Sequence, residues 1–272
     1  MPNIENNQTI LLKAKEDVYT HLSGGNMSRI LGHGYDFAEL REYDTSDDVR
    51  HISWINSAKL GQPYVKKMHE ERELNVAVCS LIDGRFLLGR KLELLEYVVA
   101  VLGYSAYEAN ELFSAFTFVG EELKSYEATK NLYTIESVVE DISKAELLGQ
   151  KIDYSKVLDI GLESKHLLFI IGDFLDPVDL SILAQKHEVV VIMIRDEVEE
   201  NPLISVGAQL VNPQTNELVH QTLSRKALEH YRAKLLAHDR FLMEHFYQNN
   251  IRYVKVYKSD ELIEKLESLF TF

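Results

Sequence analysis

Three carboxylates stand beside apolar runs, in positions where they could hold a divalent cation. Asp83 follows the run 74–82, Asp173 follows the run 166–171, and Glu71 shortly precedes the first of them. Hard cations such as Mg²⁺ take oxygen ligands, and a bound ion can activate water for hydrolysis. Convergence of the three side chains would therefore suit a metal-dependent hydrolase. The alternative is that Asp83 and Asp173 are turn residues at strand ends, where Asp is common.

Other catalytic signatures are missing from the sequence. His230, His238 and His245 lie in one long helical segment without a His-Glu-x-x-His pair, which is more typical of a solvated or half-buried face. The Gly-His-Gly triplet at 32–34 lacks the preceding strand and the third glycine of a phosphate-binding loop. The single cysteine, Cys79, lies in an apolar run, which indicates a buried thiol. We therefore expect a protein that is not an enzyme.

Apolar periodicity indicates the elements that must position these residues. Short, nearly continuous apolar runs are typical of strands buried in a parallel sheet, whereas apolar residues at every third or fourth position indicate helices. The predicted strands are 74–82, 112–119, 166–171, 189–194 and 251–257. The predicted helices are 9–22, 91–110, 134–150, 154–162, 177–186, 223–248 and 260–270. This alternation predicts an open α/β sheet with helices on both faces.

Two further local signals refine that pattern. Asp176 followed by Pro177 predicts a helix start, with the aspartate as N-cap and the proline in the first turn. The polar segment 195–222, with its Asn-Pro turn signal, predicts a small hairpin rather than another crossover.

Composition limits the classes of protein. The formal net charge of −14 argues against a general nucleic-acid or anionic-membrane binder. The longest apolar runs are too short to span a bilayer, so no membrane insertion is expected. Residues 1–17 resemble neither a signal peptide nor a transit peptide, which predicts a cytoplasmic location.

The segment 32–73 combines charges of both signs with large aromatic residues. Such a mixture indicates a folded segment in which arginine and acidic side chains pair across a partly buried surface. The alternative is a helix followed by loops with weak surface ion pairs. Paired carboxylates at Asp47-Asp48 and Glu70-Glu71 are expected to bind neighbouring basic residues rather than to perform acid–base chemistry.

The same segment resembles the domain-of-unknown-function 58 family, whose block runs approximately G-x-G-x-x-F-x-x-x-R-x-Y-x-x-G-D-D-x-R-x-I-D-W-x-x-x-A-R, then P-x-V-K and E-R-E-L. The matching residues are Gly32, Gly34, Phe37, Arg41, Tyr43, Asp47, Asp48, Arg50, Ile52, Trp54, Ala58, Pro63, Val65, Lys66, Glu71, Arg72, Glu73 and Leu74. The departures are Ser46, Ser53 and Lys59. Loss of glycine at position 46 removes free access to positive φ in that turn.

The resemblance implies a Rossmann-like, mostly parallel sheet of von Willebrand factor A type, with an N-terminal helix and a charged collar. Such domains often bind a cation through Asp-x-Ser-x-Ser after the first strand and an Asp after a later one. Here Leu81, Asp83 and Arg85 occupy the first set of positions and Asp173 the later one. Asp83 and Asp173 are thus the candidate metal ligands in a site that looks degenerate. We expect no cofactor, with Mg²⁺ as the ion if one binds, and Arg85 could instead pair with either aspartate.

The resemblance also implies a function. Members are often paired with a MoxR-type AAA+ ATPase, so we expect a non-enzymatic interaction module, an adaptor or chaperone in assembly or maturation of other proteins. The expected domains are 1–73, containing the N-terminal helix and charged block, and 74–272, the von Willebrand factor A-like domain. The candidate binding or structural residues of the block are Arg41, Tyr43, Asp47, Asp48, Arg50 and Trp54.

Overall fold

The computed structural model describes residues 4–21, 37–44, 47, 49, 52–68, 75–202 and 205–270. The chain forms two compact units, one of residues 32–73 and one of residues 1–31 with 74–272. The helices are α1 Ile4–His21, α2 Trp54–Leu60, α3 Lys91–Glu108, α4 Leu132–Ser143, α5 Ser181–Lys186, α6 Glu197–Glu200, α7 Arg225–Gln248 and α8 Leu262–Phe270. The strands are β1 Phe37–Glu42, β2 Tyr64–Met68, β3 Asn75–Ile82, β4 Leu112–Val119, β5 Glu122–Thr129, β6 Leu167–Gly172, β7 Glu188–Ile194, β8 Ser205–Asn212, β9 Glu217–Leu223 and β10 Arg252–Val256.

The larger unit is built on a six-stranded sheet in the order β10-β7-β6-β3-β4-β5. All neighbouring strands are parallel except β5, which runs antiparallel to β4 at one edge. Numbered by their order in the chain, these strands give the order 3-2-1-4-5-6 of a doubly wound Rossmann-like sheet. The predicted fold class, an open and mostly parallel α/β sheet, is confirmed.

Helices cover both faces of this sheet because its central strands are apolar on both sides. Val78 and Ile82 of β3 pack into a core with α1, α3, α4 and α8. Cys79 and Leu81 point the other way, into a core with α7 and the 3-10 helix Tyr154–Ile160. The period of two along a strand thus assigns neighbouring residues to opposite cores.

Several predicted boundaries differ from the structure. The helix predicted over 134–150 ends at Ser143, the segment predicted as a helix over 154–162 is a 3-10 helix, and α1 begins earlier, at Ile4. Strand β5 was not predicted, since it is an exposed, charged edge strand without apolar alternation. The predicted hairpin is confirmed as β8 and β9.

The helix start predicted at Asp176 and Pro177 is also wrong. Helix α5 begins only at Ser181. The Asp176 carboxylate lies 3.0 Å from Nη1 of Arg85, so it serves a tertiary ion pair instead of capping a helix. Propensity for a local cap is a weak signal that a tertiary contact can override.

The smaller unit contains a two-stranded antiparallel sheet of β1 and β2 with helix α2 between them in sequence. The Tyr43 backbone N–H donates to the Pro63 carbonyl at 2.8 Å, and Arg41 forms an ion pair with Asp47. Helix α2 is followed directly by Gly61, whose φ of 79° is the left-handed conformation that glycine adopts readily at a helix C-terminus. Within the described residues, no helix of either unit is long and apolar enough to cross a membrane.

Cys79 offers a chemical test of the central strand. Its side chain is fully buried, and burial raises the pKa of its thiol far above the ordinary range. Because the thiolate is the reactive form, we expect Cys79 to react with a disulfide reagent such as DTNB only when the sheet opens. Native protein should therefore label very slowly, and protein in guanidinium chloride should label completely and at once. Rapid stoichiometric labelling of the native protein would contradict the buried position of β3.

Candidate functional site

The candidate site lies at the carboxyl ends of the parallel strands, and its centre is Arg85. Asp83 directly follows β3, and its Oδ1 accepts a hydrogen bond of 2.9 Å from the Arg85 backbone N–H at the start of a 3-10 helix. This tight turn brings the Arg85 side chain back over the strand end. Its Nε lies 3.0 Å from Oδ2 of Asp173, and its Nη2 lies 2.9 Å from Oδ2 of Asp83. The predicted alternative, in which Arg85 pairs with these aspartates, is confirmed.

Asp173 follows β6, the strand next to β3, which explains why two aspartates distant in sequence meet here. The Asp173 side chain is almost fully buried, and its Oδ1 accepts hydrogen bonds from the Tyr154 hydroxyl at 2.7 Å and the Leu175 backbone N–H at 3.2 Å. Burial alone would raise the pKa of Asp173, but Lys91 and Arg85 outweigh it and hold that pKa below its usual value. Asp173 is therefore a buried carboxylate that stays ionised.

Lys91 is the second buried cation of the site. It opens α3, its side chain is 1% exposed, and its Nζ lies 3.3 Å from Oδ2 of Asp173 and 2.9 Å from Oε1 of Glu199. Burial raises the pKa of Glu199 despite the nearby ammonium group. For Arg85, burial alone would lower the pKa, but the charges of Asp173 and Asp83 raise it above its ordinary value. Cations and carboxylates thus alternate through the crevice.

Phe174 connects this network to a second one through its backbone. Its φ of 49° is unusual for a residue with a side chain, and the conformation is held by bonds on both sides of the residue. The Phe174 N–H donates to the Tyr154 hydroxyl at 2.9 Å. Its carbonyl accepts from Nη2 of Arg195 at 3.1 Å and lies 2.9 Å from Nε2 of His238.

The second network links β7 and β10. Arg195, which follows β7, is fully buried, and its Nη2 donates to Oδ1 of Asp239 at 2.9 Å. Lys255 of β10 donates to Oδ2 of Asp239 at 2.6 Å and to Oε1 of Glu200 at 2.9 Å. The two networks therefore involve residues at the carboxyl ends of β3, β6, β7 and β10.

The tip of the β8–β9 hairpin covers the Asp83 end of the crevice. Nε2 of Gln214 donates to Oδ2 of Asp83 at 2.7 Å, and the Pro213 carbonyl accepts from the Gly149 N–H at 2.8 Å. This close approach requires glycine at position 84, because a Cβ there would lie 2.0 Å from the Pro213 carbonyl oxygen. A segment more than a hundred residues away in sequence thus completes the site.

The residues present do not fit a divalent cation. The Arg85 guanidinium contacts both candidate ligands, with Nη2 2.9 Å from Asp83 and Nε 3.0 Å from Asp173, and the Lys91 ammonium approaches the latter. Leu81, at the position of the first aspartate of the motif, is buried in an apolar core. Among the residues that the structure describes, no group of three or more histidine, cysteine or acidic side chains could hold a metal ion. The third ligand of the predicted hydrolase, Glu71, lies outside the described residues.

The predicted residues of the charged block are only partly brought together. Arg41 and Asp47 pair, with the aspartate side chain 14% exposed, and Tyr43 is half-buried. Trp54 is 71% exposed, so it does not belong to a buried network. Asp48 and Arg50 lie outside the described residues.

Sequence reasoning missed most of the charged and polar partners in the crevice. The missed residues are Lys91, Tyr154, Arg195, Glu199, Gln214 and Asp239. A signal existed for Arg195, because an arginine that directly follows the apolar run 189–194 is placed at the same sheet edge as Asp83 and Asp173. No local signal marked Gln214, whose role depends on the hairpin folding back.

The molecule is therefore a Rossmann-like α/β protein whose crevice is closed by ion pairs. Residues 39–240 match the family model described as "Protein of unknown function DUF58", so the chain belongs to this family, as the charged block predicted.

Its relatives include the uncharacterized proteins Rv1480 of Mycobacterium tuberculosis and Mb1516 of Mycobacterium bovis. Each is 24% identical over 203 residues, which cover 70% of this chain and 64% of the relative. The matched region is therefore less than two thirds of the length of these mycobacterial proteins.

Two solved structures share a weaker likeness. The hypothetical protein BatB of Bacteroides thetaiotaomicron aligns with a TM-score of 0.40 and 13% identity over 72% of this chain and 98% of its own. A serine-substituted aerotolerance-related membrane protein of Bacteroides fragilis aligns with a TM-score of 0.40 and 10% identity over the same shares. Likeness at this level supports no statement about function.

Replacing Arg85 should destabilise the larger unit strongly. Arg85→Met leaves Asp83 and Asp173 buried with less compensating charge, so we expect the free energy of unfolding at pH 7 to fall by about 3–5 kcal/mol. The matched control is Arg90→Met, whose side chain is 84% exposed in its pair with Glu93 and should cost less than about 1 kcal/mol. Urea denaturation measures both, and equal small losses would contradict the central role of Arg85.

The same variant should show a distinct pH dependence. The folded-state pKa of Asp173 lies below the unfolded value near 3.8, so its contribution to stability is present above that value and lost as pH falls through the folded pKa. Without Arg85 the folded pKa of Asp173 should rise. The deficit of Arg85→Met relative to wild type should therefore shrink as the pH is lowered toward about 4. A deficit that does not depend on pH would show that the loss is one of packing.

Adding a methyl group at Gly84 should loosen the hairpin tip. In Gly84→Ala the Cβ and the Pro213 carbonyl cannot share the same space, so the tip must shift, at a cost of about 1–3 kcal/mol. We expect hydrogen exchange of the Gly149 amide, which donates to that carbonyl, to become at least about tenfold faster. Thr215→Ala, at an exposed position of the same tip, is the control and should leave the Gly149 amide unchanged. Unchanged exchange in Gly84→Ala would contradict the docked position of the hairpin.

Proposed function

We propose that this chain is a protein-interaction module that acts as an adaptor or chaperone partner of a MoxR-type AAA+ ATPase. Its larger unit would be a von Willebrand factor A-like domain without catalytic activity, working in the cytoplasm in the assembly or maturation of other proteins. The ATPase partner follows from the family resemblance of the charged block. The observation that supports an interaction role is the exposed apolar surface of helix α2.

Helix α2 lies within the charged block and has no buried residue. Trp54 is 71% exposed and Ile55 is 74% exposed, although both are large apolar side chains. Tryptophan is one of the residue types enriched among those that dominate binding energy at protein interfaces. Neighbouring exposed apolar side chains on one short helix therefore support a role in contacting another protein.

The crevice of the larger unit supports binding rather than hydrolysis. Arg85 already forms ion pairs with Asp83 and Asp173, the two carboxylates that a metal-dependent hydrolase would need as ligands. The Tyr154 hydroxyl donates a hydrogen bond to Asp173, and burial raises its pKa well above the ordinary value. The phenol therefore stays protonated and is not available as a base or nucleophile. These pairings, which occupy the carboxylates at the strand ends, support a binding role over hydrolysis.

The proposal predicts that helix α2 contributes to binding of the ATPase. The experiment measures the dissociation constant between the purified chain and a MoxR-type ATPase of the same organism by sedimentation velocity. Combined replacement of Trp54→Ser and Ile55→Ser should weaken binding by at least about thirtyfold, the equivalent of the roughly 2 kcal/mol of a dominant interface residue.

A matched control distinguishes binding through helix α2 from nonspecific association of exposed aromatic side chains. Tyr247→Ser removes another aromatic side chain, 85% exposed on helix α7 of the larger unit, and should leave the dissociation constant within about twofold. Circular dichroism confirms that each variant is folded. Absence of binding by the wild-type chain would refute the ATPase partner, whereas unchanged binding by the double variant would refute the role of α2.

A further inference from the structure

A small cleft in the larger unit contains a buried carboxyl group that the crevice network does not use. The cleft has a volume of about 250 Å³ and lies between the start of α1, the first turns of α3 and the end of α4. Its polar lining includes Glu93 and Glu96 of α3, Asn7 of α1 and Ser143 of α4. Nδ2 of Asn7 donates to Oγ of Ser143 at 2.6 Å, which links the two outer helices at its edge.

Glu96 is the unusual residue of this cleft. It is 3% exposed, and among the described residues no hydrogen-bond donor reaches its Oε2. A buried carboxyl group without a partner is costly, and native proteins rarely retain one without a compensating contact. Because Glu96 lines the cleft, a molecule that enters the cleft can offer a hydrogen-bond donor to its carboxyl group.

The charges around Glu96 define the kind of molecule that fits. Glu93, one helical turn earlier, adds a second carboxylate, and its partner Arg90 is 84% exposed at the rim. Lys91 points away from the cleft toward Asp173 and Glu199. The other helices contribute Asn7 and Ser143, which carry no charge. The cleft therefore favours a positively charged donor at Glu96.

The volume of the cleft further limits the kinds of ligand that fit. Sites for drug-sized ligands usually enclose about 300–1,000 Å³, so a cleft of about 250 Å³ suits one side chain or a small amine. Alkylammonium and guanidinium groups combine a compact charge with several N–H donors. Leu87 and Leu92 line the cleft as well, and can pack against the carbon chain of such a group.

We propose that this cleft binds an organic cation, an alkylammonium or guanidinium group, with the Glu96 carboxylate as its main hydrogen-bond acceptor and Glu93 as a weaker electrostatic partner. The site does not depend on the proposed ATPase partner or on helix α2. The cation can be the side chain of a lysine or arginine of another protein, or a free small amine.

The ionisation of Glu96 adds a signature to this site. Burial, with a smaller contribution from the charge of Glu93, raises the pKa of Glu96 to about 7. Among the described residues that line the cleft, the titratable groups beside Glu96 are Glu93 and Arg90, whereas Asn7 of α1 and Ser143 of α4 are neutral. A bound cation stabilises the carboxylate, so binding must lower the pKa of Glu96 and must strengthen as pH rises through about 7.

The test titrates the full chain with butylammonium, ethylguanidinium and the peptide acetyl-Gly-Lys-Gly-amide at constant ionic strength. Carbon-13 NMR of the glutamate carboxyl groups follows binding and the pKa of Glu96 together. We expect saturable binding above neutral pH, a lower pKa of Glu96 in the bound state, and no binding of the neutral analogue n-butanol. Tighter binding of the peptide would assign the site to a protein side chain, and tighter binding of butylammonium to a free amine.

Two isosteric variants make the test specific. Glu96→Gln keeps the size of the side chain but removes its charge, and should weaken binding of butylammonium at least about tenfold and abolish its pH dependence. Glu93→Gln is the matched control. It should weaken binding of butylammonium no more than about threefold, because the Glu93 side chain is more exposed than that of Glu96. Failure of all three cations to shift the Glu96 resonance, or equal affinity in Glu96→Gln, would overturn the proposal.

Discussion

The ion pairs of Arg85 with Asp83 and Asp173 are the interaction on which the rest of the larger unit depends. Parallel strands β3 and β6 are neighbours, so the carboxylates that follow them are forced together at one edge of the sheet. Two neighbouring buried carboxylates are tolerated only when cations compensate their charges. Arg85 provides that compensation from a 3-10 turn, and Lys91 adds to it from the start of α3. The guanidinium thus lies between the two carboxylates that the sequence predicted as metal ligands.

Much of the surrounding backbone is arranged around this charge cluster. Phe174 adopts a positive φ so that its N–H and carbonyl can serve Tyr154 and Arg195, which joins the first network to the second. The hairpin of β8 and β9 folds back so that Gln214 satisfies Asp83, and Gly84 leaves room for it. Strain and close approach at these positions are offset by hydrogen bonds that exist only when all the parts are assembled.

The two proposals rest on surfaces outside this network. Helix α2 exposes the apolar side chains of Trp54 and Ile55. The cleft at Glu96 retains a buried acceptor without a donor among the described residues. Neither feature stabilises the fold. Apolar exposure and an unpaired buried carboxyl both cost free energy, so their presence is better explained by binding than by folding. Family membership gives the chain relatives, but those relatives are themselves uncharacterized.

The sequence by itself determined the fold class, the family and the position of both aspartates. Apolar runs such as β6 and β7 are local patterns that need no knowledge of contacts. Only the tertiary structure decided that Asp176 binds Arg85 instead of capping a helix, that Gln214 reaches Asp83, and that β5 adds an exposed edge strand. Each of these depends on groups far apart in the chain, whose free energy of interaction exists only once the sheet brings them within hydrogen-bonding distance.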